Sequence, residues 1–133
     1  MTFWNSKKEK GSAAELIAEF LAASGQSDFT YEDLRRWYYG SGAYKRYQRD
    51  WHTVERMVRK LSEEGHLLRY RWKRTMRYVP VPRDFRIDAY LEAFHYARTH
   101  ADVKGMLVIA ERLAGDLGIE PHVAHNLLAN IVR

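Results

Sequence analysis

The chain has 133 residues, of which 46% are hydrophobic, 14% aromatic and 29% charged, with a net charge of +5; this is enough apolar material for one good core, or two small ones sharing an interface, and it excludes a disordered chain. Cysteine is absent, which excludes disulfides, thiolate metal sites and cysteine nucleophiles. The residues from Met1 to Asn5 lack a signal-peptide apolar run, and no stretch approaches the roughly 18 apolar residues of a membrane span, so a soluble cytoplasmic protein with no membrane partner is expected.

Residues 1–11, with Lys7, Lys8 and Lys10, predict a loose basic arm. Ser12 and Glu15 stand at capping-box spacing, and Leu16, Ile17, Phe20 and Leu21 share one helical face behind them. A first helix over about 13–24, stopped by Gly25, follows. Thr30 caps a second helix, with Phe29 and Leu34 placed as a hydrophobic staple and Gly40-Ser41-Gly42 at its end. Residues 43–50 keep helical spacing into the next element, but Asp50 is a good N-cap residue, so a break is expected there. The third helix runs to Gly65, with Val54, Met57, Val58 and Leu61 on one side.

Beyond Gly65 the period falls to two. Leu68, Tyr70 and Trp72 alternate with Arg69, Arg71 and Lys73, and Met76, Tyr78 and Pro80 alternate with Arg77 and Val79. These are the arms of a hairpin joined around Lys73-Arg74, and the lack of Gly or Asn there suggests a loop longer than two residues. Trp51, Trp72, Tyr70 and Tyr78 fall on the inward phase of their elements and are expected in the core, while Trp4 and Trp37 are left open. Asp84 and Asp102 are expected to cap two further helices, the second closed by Gly118. Pro121 opens a last helix carrying Ala124, Leu127, Leu128 and Ile131.

Charge is sorted along this order. Residues 35–86 hold fifteen of the 22 Lys+Arg and five of the 17 Asp+Glu, a local net charge of +10 flanked by −3 before it and −2 after it. Aromatic residues are interleaved with the cations, which suits a polyanion with flat, stackable groups. At about 100° per residue, Arg49, His52, Arg56, Arg59 and Glu63 lie opposite the apolar side of the third helix.

The segments Phe29 to Leu34 and Val54 to Leu67, the latter ending Lys60-Leu61-Ser62-Glu63-Glu64-Gly65-His66-Leu67 before the basic hairpin, resemble the winged helix-turn-helix family over about residues 12–82. The connection between the second and third helices is longer and more aromatic than the family's short turn. The resemblance implies a mainly α (α+β) fold with a two-stranded wing, followed here by a helical module over 83–133. It also implies double-stranded DNA binding, as in a transcriptional regulator or a replication or partition factor of a phage, plasmid or other mobile element. Arg49, His52, Thr53 and Arg56 are expected to face the major groove, with Arg59 and Lys60 on phosphates. Arg69, Arg71, Lys73, Arg74 and Arg77 would follow the backbone or enter the minor groove, and Tyr44 and Tyr47, flanking Lys45 and Arg46, are further contact candidates. The alternative is a winged-helix interaction subunit of a larger nucleoprotein assembly that meets an acidic partner or RNA.

The segment from Ala110 to Pro121 also looks like a helix-turn-helix, but the helix after the turn has no Lys or Arg before Arg133. Without charge to hold phosphates it is expected to serve homodimerisation or a protein partner through 84–133. His122 and His125 lack a third ligand at metal spacing. No metalloprotease, phosphate-loop or nucleophile-elbow motif is present, so no enzymatic activity, metal or cofactor is expected.

Overall fold

The computed structural model describes residues 11–82 and 84–132. The predicted arm, apart from Gly11, and Trp4 lie outside the described residues. Seven helices and one two-stranded antiparallel sheet are present among the described residues, an α+β architecture. The helices are α1 (Ala13–Ser24), α2 (Tyr31–Gly40), α3 (Ala43–Tyr47), α4 (Trp51–Glu63), α5 (Asp88–Thr99), α6 (Val103–Leu117) and α7 (Pro121–Asn130), and the strands are β1 (Leu67–Trp72) and β2 (Thr75–Pro80).

Local chemistry sets most of the boundaries. The Ser12 hydroxyl accepts from the Glu15 amide, and Gly25 closes α1 in the left-handed conformation. Thr30 and Asp33 exchange side-chain and backbone bonds in a full capping box at α2. Asp50 accepts from the Thr53 amide at α4, and Asp102 from the Gly105 amide at α6. The break expected at Asp50 is there, with the one-turn α3 set before it and Gln48 in the left-handed region between them. Asp84 does not cap α5. That helix starts four residues later, after Ile87, without a side-chain cap. Ile87 is buried, so packing rather than a cap hydrogen bond fixes its entry.

The hairpin departs from expectation in two ways. Trp72 pairs with Thr75, leaving Lys73 and Arg74 as a two-residue turn with φ of 48° and 68°. Positive φ at both central residues is what a type I′ turn requires, and the right-handed strand twist selects that turn even without Gly or Asn. The register then puts Tyr70 opposite Arg77 and Arg69 opposite Tyr78. Directly paired residues share a face, so Tyr70 and Tyr78 point to opposite faces. Tyr78, with Leu67, joins a core built from Leu16, Phe20, Phe29, Leu34, Tyr38, Val54 and Val58. Tyr70 and Val79 join a second core with Phe94, Leu113, Ala124 and Leu127. The hairpin is therefore a partition between two cores. Trp72, expected inside, is 39% exposed because both cores end short of the tip.

Both hairpin edges are also covered near its base. Phe29 and Tyr78 exchange backbone bonds of 3.0 and 2.8 Å, and on the other side the Val132 amide donates to the Arg69 carbonyl at 3.0 Å, beside a bridge between Tyr70 and Ile131. Covered edges leave no unpaired strand groups there for another chain to capture. No helix among the described residues is long and apolar enough to cross a membrane.

Candidate nucleic-acid interface

The start of α4 is set by a buried phenol. The Tyr38 hydroxyl donates to the Arg49 carbonyl at 2.7 Å and accepts from the Arg49 amide at 3.2 Å, fixing the backbone one residue before the Asp50 cap. The Thr53 amide and hydroxyl bonds hold the Asp50 carboxyl below its ordinary pKa. Trp51, Val54 and Val58 are buried beneath the helix. His52, Arg56, Arg59, Lys60 and Glu63 consequently form an exposed outer face, with Thr53 half-buried beside Arg56. The C-terminal part approaches this face at one end, where Ile87 and Asp88 line a groove with Arg59 and Glu63.

Among the described residues, no ion pair engages Arg56, Arg59, Lys60, Arg69, Arg71, Lys73 or Arg74. Six of these cations, Arg56, Arg59, Lys60, Arg71, Lys73 and Arg74, are also exposed. Arg59 and Arg69 border one groove of about 660 Å³ that runs from the last turns of α4 to Tyr31, Tyr78 and Ile131, with Glu63 on its rim. That groove joins the helix face to the hairpin. Tyr31 stacks on Tyr78 at 5.0 Å, and its hydroxyl is pushed above the usual tyrosine range by burial and by a hydrogen bond to Tyr78.

Several predicted contact residues have partners within the chain, among them His52, whose ring stands 3.5 Å from the Glu55 carboxylate. Arg77 donates from Nε to Asp28 at 2.6 Å and sits 3.8 Å from Asp33. Burial alone would lower its pKa, but the Asp28 bond and charge outweigh that and hold the guanidinium above its ordinary value. Arg46 pairs with Glu19 at 2.8 Å, an exposed pair worth little. Tyr47 is half-buried and its hydroxyl turns to Glu15 at 3.5 Å; burial, then Glu19 and Glu15, raise its pKa. Arg49 reaches the Gly11 carbonyl at 3.2 Å but stays exposed.

Tyr44 is exposed as expected, with the Lys45 ammonium 5.9 Å from its ring centre. Its ring packs against Tyr39 at 5.4 Å, and Tyr39, 43% exposed, is a contact candidate that the sequence reading missed. Arg35, whose guanidinium lies 5.9 Å over the Trp51 ring, is another. The signal was available: Leu34 and Tyr38 are the buried i, i+4 pair of α2, which leaves Arg35 and Tyr39 as the next stripe. Trp37 packs against Phe20, with ring centres 5.5 Å apart.

In α7, His122 faces Glu120 at 3.2 Å while the half-buried His125 ring meets Phe94 edge-on at 5.3 Å, so the two rings serve different contacts. No family model, curated protein or solved structure matches the chain.

Proposed function

We propose that this protein binds double-stranded DNA, with α4 as the helix that reads the major groove and the β1–β2 hairpin as a basic wing. The observation that carries this is the outer face of α4, where Arg56, Arg59 and Lys60 are exposed and, among the described residues, free of ion pairs. Glu55 and Glu63 lie on the same helix, yet among the described residues no carboxylate stands within ion-pair distance of these three cations. The order α1, a bridge at Phe29, α2, α4 and hairpin supports the winged-helix reading, with α3 as an insertion before the reading helix. Cations on the phosphates supply affinity, and Arg56 near the helix start is placed for base edges. A transcriptional, replication or partition role on a mobile element is the setting that such a compact reader suits.

Salt titration of duplex binding by fluorescence anisotropy tests the proposal. The logarithm of the binding constant should fall steeply with that of the salt concentration. Arg56→Ala and Arg74→Ala should each reduce the slope by about 1. Absence of duplex binding at low salt overturns it.

The helical module carries a second element of the proposal. Val103, Leu107, Val108 and Tyr96 are 50–67% exposed on α5 and α6. Lys104, Glu111 and Arg112 are exposed on the same helix α6, so both signs of charge accompany these side chains. We read these side chains as a homodimer contact rather than a site for a different protein partner. Sedimentation should show a dimer that Leu107→Glu dissociates, and a monomer at high concentration removes this element.

A further inference from the structure

The hairpin tip combines features that a phosphate-binding wing does not need. Trp72 is the one hairpin aromatic left exposed, while Tyr70 and Tyr78 are buried. The Lys73 ammonium stands 5.6 Å from the Trp72 ring centre, and Arg71 and Arg74 are exposed on either side of this pair. The turn places Lys73 and Arg74 at φ of 48° and 68°, a conformation that Asn-Gly adopts at lower cost. The base of the hairpin is held on both faces and along both edges, so the tip is carried on a fixed support.

We propose that Trp72 stacks on an unpaired base, so that the tip selects DNA carrying a single-stranded end or gap beside a duplex. The inference rests on the DNA-binding proposal above and names its substrate more narrowly. Inside a duplex both faces of every base are covered, and separating a step costs a few kcal/mol before an indole can enter. A base already unpaired presents its face at no such cost, and every base has one, so stacking there needs no particular sequence. Lys73 and Arg74 lie next in the chain to the ring, where the phosphates flanking a stacked nucleotide would run. The duplex beside the gap remains for α4.

The test compares a blunt duplex with the same duplex bearing a short single-stranded overhang, using labelled DNA and the full chain. The overhang duplex should bind about tenfold more tightly, the order a single base–aromatic stack confers. Trp72→Ala should bring that preference to within about twofold while affecting blunt-duplex affinity much less, and Trp72→Phe should keep part of it. Wild-type protein that binds both DNAs equally overturns the inference and leaves the DNA-binding proposal standing. A Trp72→Ala protein that keeps the preference, or that loses blunt-duplex affinity to the same degree, also overturns it. Failure to bind either DNA overturns both. Circular dichroism of the two variants establishes that they are folded, as expected for a side chain at the tip.

Discussion

The Tyr70 hydroxyl donates to Oδ2 of Asp28 across 2.6 Å, and the same oxygen accepts from Arg77. Tyr70 packs among the C-terminal helices, whereas Asp28 precedes Phe29 of the N-terminal core. One carboxylate oxygen therefore ties the two cores through the hairpin between them. Burial and the Asp28 bond both raise the Tyr70 pKa beyond the usual tyrosine range. Tyr70→Phe should cost about 1.5–2 kcal/mol in urea denaturation, the net value of one hydrogen bond to a carboxylate. Arg77→Ala should cost about 2–3 kcal/mol, because it leaves Asp28, only 13% exposed, without its cation. Arg74→Ala should do the reverse, weakening DNA binding with stability unchanged.

Removing residues 84–133 should disrupt the N-terminal half rather than release it intact. The deletion bares Tyr70, Val79 and Val81, which are at most 2% exposed in the full chain. Exposing each of these side chains costs about 1.5–3 kcal/mol, and together they approach the whole stability of an ordinary domain. It also removes the Val132–Arg69 backbone bond from the β1 edge. The expected result is loss of the cooperative thermal transition in residues 1–83. A truncated chain that melts sharply would show the cores to be independent.

These relationships mark where sequence stopped being informative. Caps at Thr30, Asp50 and Asp102 were legible because each is decided by a side chain and an amide three residues away. The outer face of α4 was legible for a similar reason, since helical periodicity alone places Arg56 opposite Val54 and Val58. Asp84 misled because capping propensity competes with packing, and burial of Ile87 fixes where α5 begins. The hairpin misled through its turn. Alternation groups Tyr70 with Tyr78 as inward residues, but a two-residue turn puts 72 opposite 75 and so separates the two tyrosines onto opposite faces. Arg77 followed from that slip, because its partner Asp28 lies far back in the chain and no local pattern announces a long-range pair.

The Asp50 cap predicts a dependence on acid. Folding holds this carboxyl below its ordinary pKa of 3.8, so the unfolded chain takes up the proton more readily. Its stabilisation is thus complete above that value and is lost as the pH falls through the lowered one. The gap in melting temperature between wild type and Asp50→Ala should be widest near neutrality and shrink under acid. The gap between Asp50→Asn and Asp50→Ala should stay constant, since an amide caps α4 without titrating. A wild-type gap that does not change with pH would mean that the Thr53 amide is not held by the ionised form.

The turn sequence is the place where stability and function should oppose each other. Lys73 and Arg74 occupy the left-handed region at φ of 48° and 68°, where a side chain with a Cβ costs about 1–2 kcal/mol. Replacing the pair by Asn-Gly, the preferred residues for this turn, should stabilise the protein by about 1 kcal/mol and raise its melting temperature by several degrees. Neither side chain makes an ion pair among the described residues, so nothing in the folded chain is lost by the exchange. DNA affinity should nevertheless fall, and its salt slope should shrink by about 2, one for each cation removed. A variant that is more stable and binds as well as wild type would remove the hairpin tip from the interface and leave α4 to act alone. A variant that is less stable would show that the two long side chains support the turn through contacts with Trp72, where Lys73 already lies over the ring. The pairing of higher stability with weaker, less salt-dependent binding is the outcome expected of strain kept for the sake of two cations.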